Sequence, residues 1–137
     1  MPAYSATPLA QKLGIKDGAR YLFVGAPPGF FRELPTLPAS AKALTPRARE
    51  ADLIVLFAPT LAKLTSELPR LIAKLPDAGA LWIAWPKLAS GVATDLRENV
   101  VRDTVLKTGL VDIKVCSIND TYSGLKFVRR LKDRKQM

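Results

Sequence analysis

The sequence contains no histidine and only one cysteine, Cys116. Histidine is the usual proton carrier near neutral pH, so its absence excludes Ser-His and Cys-His nucleophilic machinery. Acid-base chemistry would have to use Asp, Glu, Lys, Tyr or Cys. A lone cysteine forms no internal disulfide and, without histidine, belongs to no Cys-His zinc site. We therefore expect no metal, and we interpret Cys116, inside an apolar strand, as a small core residue.

The chain also lacks long apolar runs. No stretch of eighteen uncharged apolar residues occurs, and the N-terminus lacks the basic-then-apolar order of a signal peptide. We expect a soluble, cytoplasmic protein without a membrane partner. With 137 residues, of which 48% are apolar, the chain has enough apolar side chains for one core. The sequence predicts a single α/β domain over residues 1–131 and a basic tail over 132–137.

Positive charge is in excess, with a formal net charge of +9 at pH 7. Residues 126–137 hold six basic residues and one acidic residue, a net +5, whereas the rest is mildly basic. Two interpretations stay open, a solvated tail and a contact with a polyanion. For a nucleic-acid contact the candidate residues are Lys126, Arg129, Arg130, Lys132, Arg134 and Lys135.

Apolar runs predict buried strands at 20–26, 51–59 and 79–85, and the weak segment 40–44 is a candidate edge strand. A short helix is predicted over residues 8–13, with Thr7 as its N-cap and Gly14 as its end. A further turn of helix is expected near residues 30–34.

Helical periodicity is clearest over residues 60–75, where leucines and Ile72 recur at spacings of three and four. Pro69 interrupts that stripe and predicts a kink or two short helices. A later helix is expected to start at a Thr94 cap, to pair Glu98 with Arg102 and to end at Gly109.

Two strand-like runs, 110–118 and 123–131, are separated by too few residues for a parallel return, so they predict an antiparallel hairpin. The whole pattern predicts a three-layer, Rossmann-like α/β sandwich. Its sheet would be mostly parallel, of five to six strands, with the hairpin at the C-terminus. An exposed edge at 40–44 or at the hairpin is where a homodimer would form.

The segment LWIAWPKLASGVATD, residues 81–95, predicts a strand end at a ligand site, because open parallel sheets bind ligands outside the carboxyl ends of their strands. Lys87, hydroxyl groups and free N–H groups at the following helix start would hold a small anion or a protein partner. The alternative is structural, with Trp85 packing, Pro86 ending the strand and Gly91 relieving a turn. The candidate residues of this segment are Trp85, Lys87, Ser90, Gly91 and Thr94.

The turn between the last two strands adds Asp120, Tyr122 and Ser123 to the candidate ligand site. Asp120 and Tyr122 would be able to act as an acid-base pair. The competing interpretation is that Asn119, Asp120 and Gly124 are turn formers, the glycine for its free φ.

Two resemblances accompany these patterns. KLPDAGALWIAW, together with the closing hairpin, resembles the second half of a class I methyltransferase over about residues 50–131. The phrases YSATPLAQKLGIK, APPGF, WPKLASGVATDL and GLVDIKVCSINDTYSGLKFVRR resemble, over nearly the whole chain, a family of small bacterial proteins known only as a domain of unknown function. The first resemblance implies a fold, and the second implies no activity.

The loop after the first strand, GAPPGF, differs from the glycine-rich turn of methyltransferases, because two prolines remove N–H donors and fix φ. We therefore expect no cofactor, adenosylmethionine included, and a stiff turn that packs Phe30 and Phe31 on the sheet. The leading hypothesis is a non-catalytic binding protein for a small anion or a partner protein. The alternatives are a basic nucleic-acid-associated module and a residual transferase.

Overall fold

A computed structural model describes residues 8–30 and 37–133. In those residues a six-stranded sheet runs in the order β2-β1-β3-β4-β6-β5, with helices on both faces. The elements are α1 (Leu9–Leu13), β1 (Arg20–Val24), β2 (Lys42–Ala43), β3 (Leu53–Phe57), α2 (Leu61–Ile72), β4 (Ala80–Pro86), α3 (Glu98–Leu106), β5 (Leu110–Ser117) and β6 (Tyr122–Arg129).

The first four strands are parallel, and β6 is antiparallel to both of its neighbours, β4 and β5. The predicted Rossmann-like sandwich with a C-terminal hairpin is therefore confirmed. Strands β3 and β4 are buried along their whole length because the sheet is covered on both sides. The weak segment at 40–44 supplies the short edge strand β2.

The two faces of the sheet are covered differently. Helices α2 and α3 pack on one face, against alternate residues of the central strands such as Leu56, Ile83 and Phe127. Helix α1 packs on the other face, where the indole Nε1 of Trp82 donates a buried hydrogen bond of 2.9 Å to the carbonyl of Leu13. Gly14, with φ of 93°, ends α1 as expected. Among the described residues, no helix combines the length and the apolar character needed to cross a membrane.

Helix α2 runs without interruption through Pro69, so the predicted division into two short helices is wrong. Pro69 lies in the last turn and on the exposed side, where the missing N–H affects one hydrogen bond near the helix end. The stripe formed by Leu64, Leu68 and Leu71 is fully buried against the sheet. Packing of this stripe outweighs the local cost of the proline.

The start of α3 also differs from the expectation. The helix begins at Glu98 with Arg97 at the N-cap position. Thr94 lies outside it, and its Oγ1 accepts a 3.0 Å hydrogen bond from the amide of Leu96. The predicted Thr94 cap is therefore wrong, whereas the Glu98–Arg102 ion pair is present. Thr7 and the helical turn expected over 30–34, apart from Phe30, lie outside the described residues.

Candidate functional site

The strand order reverses between β1 and β3. From β1 the chain moves outward to β2 and then returns to the other side of β1 to form β3. Parallel sheets of this kind bind ligands in the crevice that opens at such a reversal, outside the carboxyl ends of the strands. The residues at this point are Gly25 after β1, Leu44 after β2 and Ala58 after β3. This reversal lies between β1 and β3, whereas the candidate residues Lys87 to Thr94 follow β4, the strand next to β3.

Gly25 allows the ends of β1 and β3 to approach each other. Its φ is +73°, and a Cβ at this position would lie 2.9 Å from the carbonyl oxygen of Phe57. Gly29, in the same loop, has φ of +82°, and with respect to residues 8–30 and 37–133 it faces open space, since a Cβ there would meet none of their atoms within 4 Å. Both positions therefore favour glycine for conformational reasons, and both lie in the loop that follows β1.

Pro27 and Pro28 make the intervening turn stiff, and the amide of Phe30 closes it by donating to the carbonyl of Pro27 at 3.1 Å. The Phe30 ring is fully buried and packs edge-on against Phe23 and Phe57, with ring centroids 5.4 and 4.8 Å apart. The expectation that this turn packs Phe30 on the sheet is confirmed. Phe31 lies outside the described residues.

The α2 N-terminus, which follows β3 at the same edge, is capped twice. The hydroxyl of Thr60 accepts a hydrogen bond from the amide of Lys63 at 3.2 Å. Asp95 Oδ1 accepts from the amide of Leu61 at 2.8 Å. Asp95 therefore complements the dipole of α2 and lies outside α3, which begins at Glu98.

At the candidate site after β4, Lys87 and Ser90 form hydrogen bonds with each other and with neighbouring residues of the chain. The Lys87 amide donates to the Thr121 carbonyl at 2.7 Å, and its ammonium donates to the hydroxyl of Ser117 at 2.6 Å. Ser90 donates to the carbonyl of Lys87 at 2.7 Å and accepts from the amide of Val92 at 3.2 Å, which closes a 3₁₀ turn ending at Gly91. Ser117 was missed in the sequence because only the strand register brings it level with the end of β4, with Ser123 of β6 between them.

Register brings the hairpin turn beside Lys87. Tyr122 lies opposite Pro86, and Ser123 lies opposite Trp85. The Tyr122 ring stands edge-on to Phe57, with centroids 5.2 Å apart. Trp85 is buried on the α2–α3 face, so its indole is part of the core. Asp120 is exposed in the turn, whose backbone is held by Asn119 Oδ1 accepting from the amides of Thr121 and Tyr122.

The basic residues of the nucleic-acid alternative do not form one strip. Arg129 donates to the carbonyls of Ile72 and Leu75 at 2.9 Å each, and so binds the C-terminal end of α2. Lys126 lies on the opposite face, with its ammonium 5.9 Å from the centroid of the Trp82 ring. Strand alternation separates them, since residues three apart point to opposite faces. Arg130 and Lys132 are exposed, and Arg134 and Lys135 lie outside the described residues.

Cys116 lies half-buried on the face that α1 covers. Burial raises the pKa of its thiol, and the nearby Lys12, Lys114 and Lys87 offset only part of that effect. The neutral thiol agrees with the interpretation of Cys116 as a packing residue.

Comparison with solved structures identifies the fold. The chain is similar to a putative type 11 methyltransferase from Sulfolobus solfataricus, with 12% identity, 93% of each chain covered and a TM-score of 0.63. It is also similar to the ribosomal protein L11 methylase of Lactobacillus delbrueckii subsp. bulgaricus, with 14% identity, 89% of this chain and 75% of the other covered, and a TM-score of 0.61. The fold is the Rossmann-like fold of class I methyltransferases. No protein-family model matches the sequence, and a search of curated proteins finds no match either.

A third structure corrects the expectation about cofactors. The fibrillarin of Aeropyrum pernix, solved with natively bound S-adenosyl-L-methionine, has 17% identity to this chain and a TM-score of 0.50, with 88% of this chain and 73% of the other covered. The expectation of no cofactor, with adenosylmethionine excluded, is therefore wrong, because this is a fold in which adenosylmethionine binds. Two prolines in one loop were too local an observation to exclude a ligand that another protein of this fold binds.

Proposed function

We propose that this chain binds adenosylmethionine in the crevice between the ends of β1 and β3 and acts as a transferase. The observation that carries the proposal is the pair of positive-φ glycines at the strand reversal, with Gly25 packed against Phe57 and Gly29 facing open space. Bound adenosylmethionine supplies an electrophilic methyl group. Of the alternatives weighed from the sequence, the residual transferase is the one that the methyltransferase neighbours favour.

The residues at the crevice fit the ligand through small side chains and backbone. Gly25, Ala26 and Gly29 have no side chain or a single methyl group, and each carries an N–H that the prolines lack. After β2 the chain continues with Leu44 and Thr45, so Thr45 is the first residue there with a hydroxyl able to bind a ribose.

Charge at the crevice also suits the ligand. At neutral pH adenosylmethionine carries a cationic sulfonium, a cationic amino group and an anionic carboxylate, so it is cationic overall. Asp95 is exposed, and within the described part of the chain only one of its two carboxylate oxygens accepts a hydrogen bond, the one that caps α2. The second oxygen is able to accept a hydrogen bond from the amino group, which would be a charge-assisted contact.

The candidate residues at the end of β4 then border the acceptor side. Neighbouring strands lie about 4.8 Å apart, so Lys87 is roughly 10 Å across the sheet from the end of β1. Without histidine, the groups able to move a proton there are Lys87, Asp120 and Tyr122. Ser90, Gly91, Thr94 and Ser123 shape the loop and the strand end. The resemblance to a bacterial family of unknown function stays a prediction, as does a cytoplasmic location.

Calorimetric titration of the purified chain with adenosylmethionine and with adenosylhomocysteine tests the proposal. Gly29→Val fills the mouth of the crevice and should weaken binding at least tenfold, or about 1.4 kcal/mol. Gly109→Val is the matched control, since Gly109 also has a positive φ, of +98°, and also faces open space, at the far end of α3. Its backbone strain is similar, and its binding should equal that of the wild type.

Absence of binding heat with both compounds would contradict the proposal. Equal weakening by the two glycine variants would contradict it as well, because strain and not occupation of the crevice would then explain the loss. Circular dichroism of each variant establishes that the fold is retained.

A further inference from the structure

A second concave site lies at the opposite edge of the sheet, where β1, β3 and β4 begin. Its volume is about 310 Å³, within the range of small-molecule sites. The lining residues are Gly14, Lys16, Asp17, Gly18, Ala19, Asp52, Leu53, Ala78, Ala80 and Lys126. The cavity therefore has polar groups of both signs around a short apolar floor.

Lys126 is the unusual group in this cavity. Its side chain crosses the Trp82 ring, and its Nζ lies close to Gly14, 3.5 Å from where a Cβ would stand. Within residues 8–30 and 37–133, no carboxylate forms an ion pair with it. Burial lowers the pKa of Lys126, and Lys114 and Lys16 lower it further. A partly buried ammonium with cationic neighbours is costly unless an anion accompanies it.

Strand register adds to this concentration of charge. Lys114 on β5 lies directly opposite Lys126 on β6. Like charges in directly opposed cross-strand positions destabilise a sheet. Lys16 approaches from the segment after α1, so three cations converge on one place from three segments of the chain. An anion bound among them would relieve the repulsion.

Of the two carboxylates in the cavity, Asp52 pairs with Arg20 and not with a lysine. Asp52 accepts hydrogen bonds from Nε and NH2 of Arg20, at 3.1 and 2.9 Å, and from the Arg20 amide. Those bonds hold the pKa of Asp52 below its usual value. Asp17 is exposed, and its Oδ1 is 3.4 Å from the hydroxyl of Ser40. Asp52 is thus committed to Arg20, and Asp17 is the carboxylate that an incoming anion would meet.

We propose that this cavity binds a phosphate group, with Lys126 and Lys16 as its direct ligands and Lys114 adding charge from the neighbouring strand. Phosphate matches a site made of convergent ammonium groups, since it carries up to two negative charges and several acceptor oxygens. Two sources of such a phosphate are a small phosphorylated molecule and the backbone of a nucleic acid. The site lies at the edge of the sheet opposite the adenosylmethionine crevice and does not depend on it.

Titration of the full chain with inorganic phosphate, with pyrophosphate and with a short single-stranded RNA tests the proposal. Lys126→Met keeps the alkyl stem over Trp82 but removes the charge, and it should weaken binding at least tenfold. Asp17→Asn removes the opposing carboxylate and should strengthen binding severalfold. Lys107→Met is the control, because it makes the same change on an exposed lysine at the end of α3.

The probes distinguish the two sources. Binding of phosphate or pyrophosphate that depends on Lys126 supports a small phosphorylated ligand. Binding of RNA alone, dependent on Lys126 and weakened steeply by salt, supports a nucleic-acid backbone. Absence of binding to all three probes, or equal effects of Lys126→Met and Lys107→Met, overturns the proposal. Adenosylmethionine binding should be the same in Lys126→Met and wild type, which separates this test from that of the crevice.

Discussion

At the scale of single residues, Gly124 shows how a glycine is misassigned from sequence. Its proximity to the hairpin turn suggested a need for free φ, but β6 begins at Tyr122, and Gly124 is a strand residue without a positive φ. Glycine is required at this position because the neighbouring side chains leave no space for a Cβ. A Cβ at Gly124 would lie 2.7 Å from Cδ1 of Ile118 and 3.1 Å from Cε3 of Trp82. Trp82 has little freedom to move, because its indole is hydrogen-bonded to Leu13.

Gly124→Ala should therefore lower the free energy of unfolding by about 1–3 kcal/mol, the usual cost of one excess methyl group in a packed core. Urea denaturation measures the change. Ile118→Val removes the Cδ1 atom that makes the closest contact, so the double variant should regain part of the loss. Wild-type stability of Gly124→Ala, or strictly additive effects of the two substitutions, would show that this contact is not limiting.

At the scale of elements, apolar runs and helical periodicity were sufficient to predict the strands, two of the helices and the terminal hairpin. These signals depend on burial, because buried apolar residues recur along the chain with the period of the helix or strand. Caps were predicted less well. Thr94 has the residue type of an N-cap, yet the cap of α2 receives its second bond from Asp95, 34 positions beyond Leu61. The partner of Lys87, Ser117, is 30 positions away. Such pairs depend on the packing of distant segments, which local patterns do not contain.

Helix α2 provides the prediction at this scale. Pro69 removes one backbone hydrogen bond from a helix that is otherwise continuous, and its side chain is exposed. Pro69→Ala should restore that bond and raise the free energy of unfolding by about 1–3 kcal/mol. Part of this gain is offset because the unfolded chain has more conformational entropy with alanine than with proline. Thermal and urea unfolding measure the gain, with Ser66→Ala on the same exposed side as the control. A lower stability of Pro69→Ala would mean that the entropic term dominates.

At the scale of the whole molecule, the position of the strand reversal could not be predicted from the sequence. The sequence identified the carboxyl ends of the strands as the place for a ligand, but the strand at which the order reverses becomes known only from the sheet order. The same holds for the lysines, since Lys16, Lys114 and Lys126 are distant in sequence and converge through register and through the packing of α1. Lys126 became a candidate because of the basic residues that follow it in sequence. Its lowered pKa, however, results from burial and from Lys114 and Lys16, which are near it in space.

The two faces of the sheet should also differ in stability. Helices α2 and α3 cover one face, whereas α1, with five residues, is fastened to the other by the bond from Trp82 to Leu13. Trp82→Phe leaves the Leu13 carbonyl without its donor and reduces buried volume, so we expect a loss of about 2–4 kcal/mol. Hydrogen exchange should be faster at the amides that hold α1 together, those of Lys12, Gly14 and Ile15.

Trp85→Phe is the control for that experiment, because Trp85 is buried on the α2–α3 face. It should lower global stability while leaving the exchange of α1 relative to the rest of the chain unchanged. If both tryptophan variants accelerate exchange in α1 to the same extent, the helix opens only with global unfolding, and the Trp82 bond is not what fastens it. If Trp82→Phe alone does so, α1 is a separately opening unit. The phosphate cavity would then share that opening, since Gly14 and Lys16 at the end of α1 form one of its walls.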